Sequence, residues 1–355
     1  MTKAFQIGKV ITGLSTGQYN NSLSGFRNKI INPDFEITQR GGSFPFAINT
    51  GAGSYTLDRW RYAGSNTFGN AVTISQLAMP SGYNGIPGYV RYYARLNRTT
   101  TGTGLTALQQ RIEGVRTLAG KRSTLTFWVR GTNDKIIKTQ IQQVFGTGTP
   151  TPSPVVEVVS AGISATLTST FTRYDVVFDM PSIDSASVYG ADDRVEVSFI
   201  LYENQGNAQF DIAHVSLVEG DARNDPDPCA PRDLGTELDL CKRYYQRIDV
   251  DGSVWLLGQT SIATSTRAYV LLDFEKEFRV RPSVAYIGGS ASYFDGVSWQ
   301  YTTTQVVAIQ GPMRVQFSVT VPAIQPPGNA GATCWLINFN KIGGGVGYIE
   351  GHAEL

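Results

Sequence analysis

The chain has 355 residues and a nearly balanced charge, with 30 Lys and Arg against 29 Asp and Glu and a formal net charge of +1. No segment is rich in Lys or Arg, which excludes a protein that tracks nucleic-acid phosphates. No run approaches the roughly 18 apolar residues of a membrane span, so membrane insertion is not expected.

Gly is abundant, aromatic residues make up 11% of the chain and charged residues only 17%. This composition is typical of strands joined by many turns. The length suffices for two domains. Cys229, Cys241 and Cys334 are an odd number in a long chain, which indicates reduced thiols rather than a disulfide framework.

Residues 1–27 are polar, and we interpret them as an extended arm that orders against a partner or as a frayed terminus. The first ten residues lack the apolar core of a signal peptide. That observation fits a virion component released by lysis, and it fits a cytoplasmic protein equally well.

Residues 28–222 alternate between apolar and polar side chains, as half-buried strands do. Over Arg122 to Arg130, for example, Leu125, Phe127 and Val129 share one face. Val195, Val197, Phe199 and Leu201 form another such set. Long amphipathic helices are lacking, so a two-sheet antiparallel sandwich is predicted.

Residues 223–235 contain three prolines and are predicted to be a linker. A short helical turn is expected next, capped by Thr236. Residues 236–355 again have the pattern of strands. The predicted fold class is therefore all-β: a jelly-roll-like β-sandwich at 28–222, followed by a second, smaller β-sandwich at 236–355.

Four segments of the sequence, at 28–36, 57–60, 240–246 and 349–355, resemble those of a family of bacteriophage tail-fibre and receptor-binding proteins. That family joins a jelly roll of carbohydrate-binding-module type to a C-terminal β-sandwich, and here the last segment ends in Ala-Glu-Leu. The resemblance implies a virion protein whose N-terminal arm binds other virion proteins. It also implies β domains that bind host surface polysaccharide, and a homotrimer.

Glycan binding requires aromatic planes for the sugar C–H faces and polar groups for the hydroxyls. Two groups of residues in the sequence meet this description. The candidate glycan-binding residues are Tyr89, Arg91, Tyr93, Trp128 and Arg130 in the first block and Tyr293 and Trp299, beside an Asp295-Gly296 turn, in the second. The alternative is that outward aromatic residues cover a subunit interface.

The resemblance also suggests a structural calcium ion, although no cofactor is expected to be required. Carbohydrate-binding jelly rolls often carry Asn-x-x-Phe-Glu on the first strand and an Asp on the last, and these correspond here to Glu36 and Asp211. The spacing around Asp211 departs from the family pattern. The alternative is that both carboxylates bond to backbone at the edge of the sandwich.

An enzyme is not expected. His214 and His352 lie in no recognisable nucleophile setting. Asp175, Asp179, Glu196 and Asp211 lie in strand-like segments, but the sequence does not show that any two converge. The predicted function is a tail-fibre or receptor-binding protein that adheres to host glycan. The alternatives are a capsid decoration or head-fibre protein and, third, a polysaccharide depolymerase.

Overall fold

The computed structural model describes residues 27–47, 50–51, 53–64, 71–83, 85–100, 104–159, 164–201, 206–250, 260–264, 267–287, 289–294, 299–302, 304–309, 311–320, 333–334, 336–341 and 347–355. The predicted N-terminal arm lies outside these residues, apart from Arg27. The chain divides into two compact units: Met1–Glu237 together with Leu355, and Leu238–Glu354.

The described part of the first unit contains twelve strands, and all their pairings are antiparallel. The strands are β1 Ser43–Phe46, β2 Trp60–Gly64, β3 Val72–Ala78, β4 Tyr92–Arg98, β5 Thr106–Glu113, β6 Arg122–Gly131, β7 Ile136–Val144, β8 Val156–Val159, β9 Ser164–Thr166, β10 Thr172–Asp179, β11 Arg194–Leu201 and β12 Ala208–Glu219.

These strands form two sheets. Sheet A has the order β1-β3-β4-β12-β6-β10, and sheet B has the order β2-β5-β11-β7-β8, with β9 also paired to β7. The alternation predicted for β6 and β11 is confirmed, because Phe127 from sheet A and Phe199 from sheet B meet edge to face at 4.9 Å in one core. Two half-apolar sheets packed together bury both apolar faces and leave their outer faces polar.

Two of the sequence segments behind the family resemblance pack against each other in this core. The Asn32 side chain donates to the backbone oxygens of Ile37 and Asp58, at 2.9 and 3.0 Å. The Trp60 indole donates to the Asn32 backbone oxygen at 3.0 Å, and its ring lies 4.9 Å from that of Phe35. These residues are fully or almost fully buried, so the motif has a structural role.

Residues 220–233 contain no helix or strand, and helix α1 follows at Leu234–Lys242. The capping residue is Asp233 rather than Thr236. The Asp233 carboxylate accepts from the backbone N–H of Thr236 at 2.9 Å and from its hydroxyl at 2.5 Å. The prediction placed the cap three residues too late, because either side chain suits an N-cap and Thr236 instead lies in the first turn.

The second unit contains three antiparallel sheets in its described part, of order β13-β23-β16, β19-β20-β15-β14-β21 and β18-β17-β22. The predicted all-β fold class is confirmed, with α1 as the one helix of the described residues. The strands are β13 Tyr245–Val250, β14 Thr260–Thr264, β15 Arg267–Asp273, β16 Ser283–Ile287, β17 Gly289–Phe294, β18 Trp299–Thr302, β19 Thr304–Ile309, β20 Arg314–Thr320, β21 Thr333–Cys334, β22 Leu336–Lys341 and β23 Gly347–His352.

Among the described residues, no helix is long and apolar enough to cross a membrane.

Candidate functional site

Three of the first group of predicted glycan-binding residues, Tyr93, Trp128 and Arg130, lie on the outer face of sheet A. Strands β4 and β6 do not pair with each other, because β12 lies between them. Asp211 of β12 is directly opposite Arg95 of β4 on one side and Arg130 of β6 on the other. Side chains from three neighbouring strands therefore meet in one row.

The Asp211 carboxylate is buried and is held by both arginines. Arg95 donates to it through two nitrogens, at 2.6 and 2.9 Å, and Arg130 donates through Nε at 2.9 Å. The hydrogen bond to Asp211 raises the pKa of Arg95. Arg130 also lies over the rings of Tyr93 and Phe171, at 5.1 and 4.6 Å from their centres. This ion cluster ties the middle of sheet A together.

Tyr93 belongs to this cluster rather than to an open surface, which corrects the prediction. Alternation places it opposite Ala94, as expected, but its side chain is buried. A small apolar cluster covers it, made by Ile86, Phe171 and Ala213 with Trp128 at its margin. Tyr93 and Arg130 are thus in direct contact, at 3.2 Å between Nη2 and the phenol oxygen, but they support the fold.

The connection between β3 and β4, described over residues 79–83 and 85–91, packs on this same face through Ile86. The two ends of this connection are joined by a hydrogen bond from Met79 N–H to Arg91 O at 2.8 Å. Ile86 is buried in the apolar cluster and anchors the loop. Gly82 and Gly88 adopt positive φ angles of 76° and 73°, which glycine permits without steric cost.

The loop surrounds a hollow of about 720 Å³, lined by residues 78–83 and 86–92. We name this site the Tyr89 hollow. Its volume lies in the range of small-ligand sites, about 300–1,000 Å³. The Tyr89 side chain at its edge is 87% exposed, and Tyr83 is 37% exposed, with its ring edge on Phe171 at 5.9 Å. Two phenol rings are therefore held at the surface by a loop that is itself anchored.

Arg91 also lines the hollow, and its guanidinium pairs with Glu36, Nε to Oε1 at 2.7 Å. That hydrogen bond raises the pKa of Arg91, so its positive charge is retained. Both side chains keep partial exposure to solvent. The hollow thus combines the rings of Tyr83 and Tyr89 with the guanidinium of Arg91, which Glu36 holds from outside the lining. Glycan binding by Tyr89 and Arg91 stays a prediction.

The two acids proposed as calcium ligands take part in different ion pairs: Glu36 with Arg91, and Asp211 with Arg95 and Arg130. A calcium ion there would have to compete with these guanidinium groups. Within the described residues, the group with metal-ligand geometry is a different one and includes neither acid. Calcium binding at Glu36 and Asp211 stays a prediction.

The second predicted group has a described backbone only. Strands β17 and β18 pair antiparallel, with Phe294 opposite Trp299 and Tyr293 opposite Gln300. The Asp295-Gly296 turn lies outside the described residues. The role of Tyr293 and Trp299 in glycan binding stays a prediction.

Each of the four acids considered for hydrolysis pairs with arginine. Asp175 pairs with Arg173, Asp179 with Arg122, and Glu196 with both Arg111 and Arg194. Asp211 lies between its two arginines, as described above.

A polar row across the outer face of sheet B was not predicted from the sequence. Arg61 donates to Gln109 at 2.9 Å, and Gln109 donates to Ser198 at 2.9 Å and to Glu196 at 3.0 Å. Burial, and then the nearby Arg111, lower the pKa of Arg61. The only signal in the sequence was the polar half of each alternating strand, which is shared by any solvated sheet face.

A scan against protein-family models and a search of curated proteins find no match to the chain. Similar solved structures include a phage tailspike domain and several carbohydrate-binding modules. The enzymatically active domain of tailspike protein 4 from bacteriophage CBA120 is 17% identical, with a TM-score of 0.35 over 56% of this chain and 22% of that one.

A family 4 carbohydrate-binding module is also 17% identical, with a TM-score of 0.25 over 46% of this chain and 95% of that one. The module TmCBM61, solved in complex with β-1,4-galactotriose, is 15% identical, with a TM-score of 0.29 over 55% and 99%. The chain spans about a fifth of the tailspike domain's length. At these identities and TM-scores the likeness carries no argument about function.

Proposed function

We propose that this chain is a glycan-binding protein and that its sugar site is the Tyr89 hollow. The observation that carries the proposal is the 87% exposure of the Tyr89 ring at the edge of a cavity of about 720 Å³. A ring so exposed contributes little to packing. Its apolar faces and phenol group are instead available to a ligand that has both C–H faces and hydroxyl groups.

The other groups of the hollow support the same ligand class. Arg91 offers charge-assisted hydrogen bonds to hydroxyl groups and is oriented by its partner Glu36, while Tyr83 offers a second partly exposed ring. Because Ile86 fixes the loop on sheet A, these groups lose little conformational freedom on binding. The ligand expected is a neutral or weakly charged sugar chain, held without covalent chemistry.

The biological setting that we propose is a phage virion, in which the chain acts as a tail-fibre or receptor-binding protein on host surface polysaccharide. The resemblance of four sequence segments to that family supports this setting. A homotrimer would supply several weak sites at once, and such valency can raise avidity 10²- to 10⁴-fold. A capsid decoration or head-fibre protein would have the same fold but no sugar ligand.

The test is binding of the purified full chain to an array of bacterial surface polysaccharides and neutral β-glucans. Wild type is expected to bind at least one polymer, and Tyr89→Ala to reduce that affinity tenfold or more. Tyr89→Phe should retain binding, because the ring faces remain. The control is Tyr189→Ala, which removes a half-buried ring that also lies beside an arginine, Arg116.

The outcomes separate the candidate functions. Folded wild type that binds neither the array nor polysaccharide-bearing cells would favour the capsid or head-fibre role. Binding that survives Tyr89→Ala and Arg91→Ala but is lost in Gln109→Ala would move the site to the polar row of sheet B. Falling polymer viscosity after addition of the protein would indicate a depolymerase.

A further inference from the structure

A second cluster of chemically active side chains lies inside the first unit, independent of the Tyr89 hollow. Asp34, His214 and Cys229 come from three separate segments, and one donor atom from each lies within 4.8 Å of the other two. All three residues are buried, with 8%, 2% and 1% exposure. Among the described residues, this is the group whose spacing could hold a metal ion.

The backbone departs from regular strand geometry to place the histidine there. Strand β12 shifts its register against β6 between Ala213 and Ser216, and His214 has a φ angle of 54°. A bulge of this kind redirects one side chain within a strand. A positive φ in a non-glycine residue has an energetic cost, and such strain collects at functional sites.

Each of the two imidazole nitrogens of His214 faces a carboxylate. Nδ1 lies 2.9 Å from Asp34 Oδ1, and Nε2 lies 2.9 Å from Asp227 Oδ1. The Asp227 carboxylate is itself held by the backbone N–H groups of Cys229 and Ala230, at 3.1 and 3.3 Å. If Nε2–H donates to Asp227, Nδ1 carries the free lone pair and faces Asp34. A carboxylate behind a ligating histidine is a usual partner in metal sites.

The cluster carries more negative than positive charge. Two carboxylates surround one imidazole and one thiol, so the group has a net charge of −1 even with the imidazole protonated. The Cys229 thiol would give up its proton on binding a metal ion, because the thiolate is the form that acts as a ligand. A divalent ion bound by the Asp34 carboxylate, the Cys229 thiolate and the neutral His214 imidazole would form a group with no net charge.

We propose that Asp34, His214 Nδ1 and Cys229 bind a divalent transition-metal ion of the zinc class, with Asp227 as the carboxylate that orients the histidine. Mixed nitrogen, oxygen and sulfur donors suit zinc, at bond lengths of about 2.0–2.3 Å. One donor atom from each of the three residues already lies within 4.8 Å of the others, which leaves room for such an ion between them. The site would join three segments of the chain: the one before β1, strand β12 and the one after β12.

Cobalt is the probe for this site, because Co²⁺ bound to a thiolate gives a charge-transfer absorption that a carboxylate or imidazole does not. Chelator-treated full chain is titrated with Co²⁺ and then with Zn²⁺. We expect one equivalent of Co²⁺ to produce the thiolate band, Zn²⁺ to remove it, and both ions to raise the melting temperature. Cys229→Ser should lose the band, while Cys241→Ser, the matched control at another buried cysteine, should keep it.

Asp227→Asn is expected to keep the band and weaken Co²⁺ binding about 10- to 100-fold.

Should Cys229→Ser fail to fold, cadmium NMR of the wild type counts the thiolate ligands directly, and one thiolate ligand is expected. Folded wild type without a cobalt–thiolate band or a rise in melting temperature would overturn the proposal. The cluster would then be a histidinium held between Asp34 and Asp227. A cobalt–thiolate band that is lost in Cys241→Ser and kept in Cys229→Ser would also overturn the proposal.

Discussion

At the scale of single residues, burial decides how much an ion pair contributes to the free energy of unfolding. Asp211 is 1% exposed and accepts from two arginines, whereas Asp179 and Arg122 meet at 3.9 Å with side chains that are 75% and 58% exposed. Removing one partner of a buried pair leaves uncompensated charge, while exposed pairs contribute little because water already solvates them. The same chemical contact therefore has two different consequences in this chain.

We expect Asp211→Ala to lower the free energy of unfolding by about 3 kcal/mol, because Arg95 and Arg130 lose their shared partner. Asp179→Ala is expected to cost less than about 1 kcal/mol. Urea unfolding of both variants and wild type gives the comparison. Equal losses would mean that the cluster on sheet A is solvated in solution and does not hold the strands together.

At the scale of elements, the strands were the most predictable part of the molecule. Alternation identified the inward faces of β6 and β11, because a half-buried strand must bury every second residue. It also placed Tyr93 opposite Ala94. It did not show that Ile86 and Phe171 cover that outer face, because coverage depends on a loop and a neighbouring strand connection that periodicity does not report.

The candidate site was likewise predictable from the sequence only in part. Tyr89 and Arg91 were identified from their residue types and now line one hollow. The approach of His214 to Asp34 and Cys229 depends on a bulge and on contacts across 180 and 15 positions of the chain, so no local pattern predicts it. Tertiary contacts between distant segments are the part that a single sequence does not specify.

The 79–91 loop should bind glycan only while it is anchored. Ile86 is 4% exposed, and Ile86→Ala removes its packing in the apolar cluster at a cost of about 2–3 kcal/mol. We expect this variant to lose glycan affinity as strongly as Tyr89→Ala, since the exposed ring is then no longer held in place. Ile86→Val should retain most of both stability and affinity, which polysaccharide binding and thermal unfolding would measure together.

Ile86→Ala that binds as tightly as wild type would contradict this account. The exposed Tyr89 ring would then act without the support of its loop, and preorganisation would have no part in binding.

Helix α1 should make stability depend on pH through its cap. Hydrogen bonds from the Thr236 hydroxyl and backbone lower the pKa of Asp233. A lowered folded-state pKa means that the stabilisation is present above the unfolded pKa of about 3.9 and is lost as pH falls through the folded value. Asp233→Ala should therefore be less stable than wild type at pH 7, and the difference should shrink as pH falls through the folded-state pKa of Asp233.

Asp233→Asn is the control for this measurement, because an amide caps a helix without titrating. The difference in unfolding free energy between Asp233→Asn and wild type should not shrink in acid as the difference for Asp233→Ala does. Denaturant unfolding at several pH values compares the three proteins, and a pH-independent deficit in Asp233→Ala would assign the effect to something other than the charged cap.

At the scale of the whole molecule, the near balance of 30 basic and 29 acidic residues predicts how binding depends on salt. A protein that makes six to ten phosphate contacts loses about 10³- to 10⁵-fold in affinity between 50 and 200 mM salt. The Tyr89 hollow offers aromatic faces and one cation, Arg91, which is already paired with Glu36, so few ions are released when a neutral sugar binds.

We therefore expect affinity for the bound polysaccharide to change less than about threefold over that salt range, because exposed charges contribute little to it. Arg91→Ala should weaken binding without altering the salt dependence noticeably, whereas Tyr89→Ala should weaken it more. Equilibrium binding at several salt concentrations measures both quantities. A steep loss of affinity with salt in wild type would mean that the partner is a polyanion bound through its charges, and that the aromatic hollow is not what holds it.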